Sequence, residues 1–268
     1  MRFGAGWRDW PQGSSCKKRG FGTLSRPIAR RISSLKRLRD ALVAKERALR
    51  AKFNGDITDP ESRRYAKILF NWVDHGVLRA LWHNFSEVAP GVYRSNHPEH
   101  KRFTAYKAKG IKTILNLRGE NSEPPFLFEK ESCDALGLTL VSVSLSARQA
   151  PVRERLLELI AAFETIEKPF LIHCKSGADR TGLAGVLYLM IHEGEPVEKA
   201  MRQLSFRYLH IRRTSTGILD HFFDTYAARN AQSPIGIVDW IRDEYDRDAL
   251  IESFAAKQAN LKWWQGWR

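Results

Sequence analysis

The sequence is poor in cysteine, poor in methionine, and free of any long apolar run. Three cysteines (Cys16, Cys133, Cys174) among 268 residues are too few, and odd in number, for a disulfide framework, and they point to a reducing compartment. The longest apolar stretch, Leu183 to Ile191, is about half of what a bilayer span requires. No apolar run of signal-peptide type follows the first charges, which argues against Sec export. With 18 Gly, 11 Pro and no low-complexity tract, collagen-like and wholly disordered classes are excluded. What is present suffices for one sizeable core, since 43% of residues are hydrophobic and 11% aromatic. At roughly 150 residues per domain the length gives fewer than two domains. A soluble, cytoplasmic protein of one domain with extensions is expected.

Acidic residues are scarce at one end. Residues 1–50 hold 14 Lys/Arg against Asp9, Asp40 and Glu46, so this stretch carries +11 of the net +14. A nearly neutral body wears a strongly basic arm. From Met1 to Thr23 no helical or strand period is visible. From Arg26 to Phe53, Ile28, Ile32, Leu35, Leu38 and Leu42 recur at three- and four-residue steps among basic residues, the pattern of an amphipathic helix. A further helix is expected from Pro60 to Asn84. The organisation read from this is a basic arm over 1–55, a catalytic body over 56–232, and a C-terminal helix with a Trp-rich tail over 233–268.

After Ala89-Pro90-Gly91 strands and helices alternate. Strands are expected at Val92–Arg94, Ile111–Leu117, Leu138–Leu145 and Pro169–His173. Helices are expected at Phe103–Lys109, Phe126–Leu136, Val152–Glu167, Thr181–Glu193 and Val197–Tyr208. Such alternation implies an α/β fold, a central, mostly parallel sheet flanked by helices. In such sheets ligands bind beyond the C-terminal strand ends, and the strand ending at His173 points at Cys174-Lys175-Ser176-Gly177-Ala178-Asp179-Arg180-Thr181-Gly182. A cysteine there ends a buried strand, and a short loop leads into an apolar helix. Loop N–H groups and the helix dipole make an anion-binding concavity. Gly177 permits a tight turn, and Arg180 offers a planar fork to two phosphate oxygens. The same positive surroundings lower a thiol pKa from about 8.5 into roughly the 3.5–7.5 range. A thiolate facing a bound phosphate is a nucleophile for phosphorus.

These residues resemble the signature loop of the protein tyrosine phosphatase superfamily, H-C-x5-R-T/S, in its dual-specificity branch. Co-occurrence of His173, Cys174, Gly177, Arg180, Thr181 and Gly182 by chance is on the order of one in a million at ordinary residue frequencies. The resemblance extends more loosely from Val88 to about Tyr226. It includes Gly91-Val92-Tyr93-Arg94-Ser95-Asn96-His97-Pro98 and Ile114-Leu115-Asn116-Leu117-Arg118, which look like the entry strands of bacterial and fungal members. It implies a dual-specificity-phosphatase-like fold and no metal or other cofactor. Cys174 would form a phosphocysteine, while Arg180 and the N–H groups of Lys175, Ser176, Gly177 and Ala178 onward hold the phosphate oxygens. Thr181 would hydrogen-bond the sulfur and His173 would brace the loop. The general-acid Asp that most members carry on a separate loop is absent, for Val143-Ser144-Leu145-Ser146-Ala147-Arg148-Gln149-Ala150 has no carboxylate. Asp179 instead resembles the loop acid of myotubularin-type and some bacterial lipid-and-tyrosine phosphatases. It is the expected proton donor, against the simpler reading of a carboxylate that pairs within the loop.

Other residues carry less. Lys175 either draws highly phosphorylated substrates such as phosphoinositides or inositol phosphates, or is a solvated lysine that raises the local potential. Arg118 and Arg148 are expected at the crevice border, Arg118 as a substrate contact. Cys16 and Cys133 read as bystanders, and Trp72 and Trp82 as core. His97, His173, His210 and His221 show no metal-ligand spacing. The arm could rest on an anionic membrane, with Trp7, Trp10 and the Trp263–Arg268 tail suited to an interface. It could equally be an organelle transit segment or pack its Ile/Leu stripe on the body. Nucleic acid is disfavoured, since no motif accompanies the charge. The expected substrate is a phosphorylated protein, with a phosphoinositide or inositol phosphate as the alternative. The reading from another class is an adaptor that binds anionic partners through the arm.

Overall fold

The computed structural model describes residues 26–260. The expectations placed on Met1–Thr23, on Cys16 and on the Trp263–Arg268 tail lie outside the described residues, as do those on the side chains of Ile28, Ile32, Leu35 and Leu38. The chain falls into two compact units, Met1–Ala48 and Leu49–Arg268. The first contains most of helix α1, Arg26–Ala51, as the three- and four-residue apolar period predicts.

The second unit opens with α2, Pro60–Ile68, whose start is fixed by Asp59. Its carboxylate accepts the Ser62 N–H at 2.7 Å, and Pro60 occupies the first turn. The single helix expected over 60–84 is not what forms. After α2 a wide π-type turn, Leu69–Val73, leads to Asp74. His75 then takes a left-handed φ of 61° before the short α3, Gly76–Leu81. The break has a polar cause: Asp74 is drawn to Arg79 and Arg118, with N···O distances of 2.7 and 2.8 Å. Trp72 and Trp82, expected in the core, are 70% and 39% exposed. That expectation is corrected, because the break turns their faces to solvent.

A strand not expected from the sequence forms as well. β1 (Ser86–Ala89) pairs antiparallel with β2 (Val92–Ser95). Pro90-Gly91 between them, with Gly91 at φ 75°, places proline and glycine where a tight turn of type II wants them. The elements then follow in the expected order: α4 His100–Ala108, β3 Thr113–Asn116, α5 Pro124–Leu136, β4 Thr139–Ser142, α6 Arg153–Thr165, β5 Phe170–His173 and α7 Asp179–His192. The helix expected over 197–208 dissolves into α8 (Val197–Ala200) and two short 3-10 turns. The Gln203 carbonyl there is taken by the buried Arg94 guanidinium at 2.8 Å. Helix α9 is Ile218–Gln232, α10 is Ile237–Asp239, and α11 is Arg247–Asn260.

The five strands run in the order β1-β2-β5-β3-β4, all neighbours parallel except β1 and β2. β5 is central, buried throughout, and aligned so that His173 stands opposite both Ser95 and Asn116. Alternation along the strands sends Ile114 and Leu171 to one face, packed with Phe103, Tyr106 and Cys133. Leu115, Phe170 and Ile172 go to the other, packed with α6, α7, α9 and the C-terminal Trp240, Ile241, Tyr245 and Leu250. Parallel strands covered on both faces read as near-continuous apolar runs, as these do. No helix among the described residues is long and apolar enough to cross a membrane.

Trp240 sits 5.2 Å, centroid to centroid, from Phe222 and 5.3 Å from Tyr245. Trp240→Ala is expected to cost about 3–5 kcal/mol in urea unfolding. A loss below about 1 kcal/mol would mean that the C-terminal segment only adheres to the fold.

Candidate active site

The loop after β5 is held from behind by its carbonyls. The Lys175 carbonyl accepts the His97 N–H at 3.2 Å, and the Ser176 carbonyl accepts Asn84 Nδ2 at 3.0 Å. The Gly177 carbonyl accepts Arg94 Nη2 at 2.6 Å. In a trans peptide the N–H points opposite to the C=O, so the amides of Ser176, Gly177 and Ala178 face the other way. None of the amides from Lys175 to Ala178 donates to another group among the described residues. They form a concave ring of donors suited to an oxyanion. Gly177, at φ 70°, is required here, since a Cβ would come within 2.6 Å of the Ser95 carbonyl oxygen.

Arg94 anchors this arrangement. Fully buried, it also donates to Gln203 Oε1 at 2.6 Å and stacks 3.5 Å above the Tyr208 ring. Burial lowers its pKa to about 10, with Tyr208 and Cys174 opposing the drop. It remains a cation at neutral pH. His173 ends β5, and its Nε2 lies 2.5 Å from Oε1 of Glu129 of α5. His97 lies beside them, its ring 5.0 Å from that of His173. Burial, then the charges of His173, Arg118, Arg79 and Arg102, push its pKa well below the usual value, so it is neutral.

Cys174 is buried at the loop's start. Burial alone would raise its pKa. The Arg180 charge and the Thr181 hydroxyl and amide outweigh that effect and the opposing Asp179, and the thiol is lowered. The Thr181 hydroxyl has no hydrogen bond of full geometry and is left to the sulfur. Arg180 donates one long bond, 3.4 Å, to the Leu117 carbonyl, and its buried Nε has no partner. A crevice of about 870 Å³ opens over the loop, lined by Lys175, Ser176, Asp179, Arg180 and Arg148, with Asp74, Leu78, Trp82 and Leu209 on its walls.

Asp179 begins α7, and its Oδ1 lies 2.8 Å from Nδ1 of the buried His210. His210 Nε2 reaches Asp220 Oδ2 at 2.6 Å. Burial would lower the imidazole pKa, but the two carboxylates raise it to about 9. Asp179 is therefore paired outside the loop, with an imidazolium. Arg118 differs from expectation in its engagement: both terminal nitrogens bind Asp74, at 2.9 and 2.8 Å. Lys175 lies 3.4 Å from the same carboxylate. Burial opposes ionisation of Asp74, but the bond from Arg118 and the charges of Arg118, Arg79 and Lys175 hold it below the usual carboxylate range.

The sequence reading missed Asn84, Asp74, Glu129, His210 and Asp220, because each reaches the loop from a distant element and shares no spacing with it. Asp74-His75-Gly76, a polar break in a helical run, was the one available signal. Distance alone would let His97, Glu129 and His173 share a metal, their ligand atoms lying within 4.8 Å of one another. The His173–Glu129 hydrogen bond already occupies two of those atoms. The Arg79, Arg102 and Arg118 charges felt at His97 oppose a cation as well.

Residues 91–216 match the family model described as "PTP-NADK: DSP-PTPase phosphatase fused to NAD+ Kinase". Two Arabidopsis thaliana proteins are similar. "Inositol diphosphatase DSP3" is 30% identical over 122 residues, 42% of this chain and 58% of that protein. "Inositol diphosphatase DSP4" is 31% identical over 107 residues, 37% of this chain and 51% of that protein. The chain thus spans little more than half the length of the curated relatives it matches. Among solved structures, P. aeruginosa TpbA superposes with a TM-score of 0.44 at 18% identity, covering 65% of this chain and 91% of that one. The catalytic core of SIW14 from S. cerevisiae gives 0.43 at 21% identity, covering 57% and 95%.

Two measurements follow from the titrating groups. Burial, with Glu129 and Asp134, pushes the Cys133 thiol up to about 12, while Cys174 is lowered, so iodoacetamide near neutral pH should label Cys174 well before Cys133 in peptide mapping. Faster labelling of Cys133 would contradict the electrostatics. His210 is raised above its ordinary value, so its ion pairs stabilise fully below pH 6.5 and are lost as pH rises through about 9. The melting temperature should fall across that window, and less so in His210→Asn.

Proposed function

We propose that the chain is a cysteine-dependent phosphomonoester hydrolase of the DSP-PTPase type working through a phosphocysteine, a reading supported by the similarity of residues 91–216 to that family's model. The observation that carries this reading is the loop itself: a lowered Cys174 thiol inside a ring of inward amides, with the Arg180 Nε free to bind an oxygen. The phosphate sits with its non-reacting oxygens on the amides of Ser176, Gly177 and Ala178 and on Arg180. These donors are aimed in advance at the charge that redistributes in the transition state.

The Cys174 thiolate attacks phosphorus. The S–P bond forms as the bond to the leaving oxygen breaks, and that oxygen takes a proton from the Asp179–His210 pair. Asp179 faces the crevice while His210, protonated at neutral pH, hydrogen-bonds it from behind. The pair, more than either group by itself, is the proton store. In the second half a water attacks the phosphocysteine, gives its proton back to the pair, and releases inorganic phosphate and the thiolate. Thr181 steadies the sulfur as leaving group, and the His173–Glu129 pair keeps the strand end in place.

For substrate, the main reading is a phosphorylated protein, tyrosine included. Inositol phosphates or phosphoinositides form the second reading, favoured by Lys175 and Arg148 in the crevice and by the names of the two plant relatives. Cytoplasmic location, and the arm as a contact for anionic partners, belong to the same reading.

Phosphate release from phosphopeptides, phosphoinositides, inositol phosphates and nucleotides should vanish in Cys174→Ser. Activity that survives this change would mean that Cys174 is not the nucleophile, and its absence from folded wild type would move the weight to the adaptor reading. Asp179→Asn should lower kcat about 10²–10⁴-fold on alkyl phosphates and far less on p-nitrophenyl phosphate, whose leaving group needs little protonation. Equal losses on both would make Asp179 structural.

A further inference from the structure

Large apolar side chains stand in solvent on both sides of the crevice mouth. On one side α3 and its end expose Leu78 (65%) and Leu81 (87%) beside Trp82 and Val77. On the other, the turn at Phe206–Tyr208 and the residues after it expose Phe206 (73%), Leu209 and Ile211. The two segments are joined: Asn84 Nδ2 donates to the Tyr208 carbonyl at 2.9 Å, and the Ser86 and Tyr208 hydroxyls lie 3.1 Å apart. Leu78, Trp82 and Leu209 line the catalytic crevice, while Leu81, Trp82 and Arg207 line a hollow of about 400 Å³ beside it. The apolar groups thus belong to one rim around the opening.

The charge on that rim has one sign. Neither 75–84 nor 205–215 contains an acidic residue; Arg207 and Arg213 stand among Phe206, Leu209 and Ile211, while Arg212 is paired with Asp224 of α9 at 2.5 Å. Of the two acids that line the crevice, Asp74 is largely buried and neutralised by Arg79, Arg118 and Lys175, and Asp179 is paired with His210. Exposed apolar patches of this kind mark interaction surfaces. Tryptophan and leucine tips backed by arginine suit the interface of an anionic bilayer, which asks for no shape complementarity.

We propose that the crevice rim, Leu78, Leu81, Trp82, Phe206 and Leu209, docks on an anionic lipid surface and presents Cys174 to the phosphorylated headgroup of a membrane lipid. Leu81 and Phe206 enter the interface, Arg207 and Arg213 meet lipid phosphates, and the crevice opens toward the headgroup layer. The delivery of substrate rests on the phosphatase reading; the docking does not.

The test uses the full chain and the double variant Leu81→Ser/Phe206→Ser. Both positions are mostly exposed and neither lines the crevice, so fold and turnover of p-nitrophenyl phosphate should match wild type. Co-sedimentation with phosphatidylcholine vesicles containing phosphatidylglycerol should fall about tenfold in the variant, a size expected from withdrawing two large side chains from the interface. Dephosphorylation of vesicle-borne dioleoyl phosphatidylinositol phosphate should fall with it, while the water-soluble dibutanoyl form is processed equally by both proteins. Equal vesicle binding by both proteins, as when the basic arm alone holds the membrane, would overturn the proposal. So would a loss of self-association in the variant on gel filtration without vesicle binding by wild type, which would give the face to a second copy. Rim-dependent binding without phosphate release from either lipid would uphold the docking and sink the phosphatase reading alone.

Discussion

Everything at this site depends on peptide carbonyls being pulled away from it. A loop of bare amides is unstable as a free conformation, because each amide would otherwise find an acceptor. Here the carbonyls of Lys175, Ser176 and Gly177 are held by the His97 amide, the Asn84 side chain and the Arg94 guanidinium. The planar trans peptide then fixes the amides on the opposite side. Anion affinity is thus a by-product of hydrogen bonds made behind the loop. Arg94 is the most demanding member, since a buried guanidinium must be satisfied nearly completely. It takes carbonyls from the loop and from Gln203 and lays its face on Tyr208.

The same tie explains why the helix expected over 197–208 breaks. Its pattern, Val197 to Tyr208, is helical in period, but the Gln203 carbonyl and side chain are committed to Arg94. Tertiary hydrogen bonding overrides local propensity at that point. The break over 73–76 has the same character, Asp74 being drawn inward by Arg79, Arg118 and Lys175. By contrast, the strands at 113–116 and 170–173 and the helices α5, α6 and α7 formed near the expected places, because their patterns follow from burial on one or two faces. The motif from His173 to Gly182 was legible for a related reason: all its parts are local, and local spacing is what a single sequence displays. The groups that orient it were not legible, since Glu129 meets His173 across 44 positions and Asn84 meets Ser176 across 92. The misplacement of Trp72 and Trp82 in a core came from reading aromatic residues on a helical period as buried, when the helix they were assigned to does not exist as one piece.

Charge in the crevice is balanced in two separate circuits. One is Asp74 with Arg79, Arg118 and Lys175; the other is Asp179 with His210 and Asp220. Arg180 belongs to neither, and its one contact is a long bond to the Leu117 carbonyl. Arg180 stands beside the sulfur with its buried Nε unpartnered, where a phosphate would complete it. Arg180 and Thr181 hold the Cys174 thiol low, while the charge of Asp179 opposes the thiolate in part. Tying Asp179 to an imidazolium offsets that repulsion at the distance that matters, because the imidazolium is held within hydrogen-bonding reach of the carboxylate.

The two circuits also show that the matched segment, 91–216, is smaller than the working site. Asp74 and Asn84 precede it, and Asp220 follows it. Without Asn84 the Ser176 carbonyl would lose its anchor, and the amide of Gly177 would be free to turn. Without Asp74 the crevice would hold three uncompensated cations, Arg79, Arg118 and Lys175, in a partly buried place where like charges are costly. Without Asp220, His210 would lose one of the two carboxylates that keep it charged, and the support behind Asp179 would weaken as pH rises. The α2–α3 segment and the start of α9 are therefore tied to the loop by hydrogen bonds and ion pairs. What sets them apart from the 91–216 core is that they supply orientation and charge balance, while the core supplies the sulfur, the amides and the guanidinium.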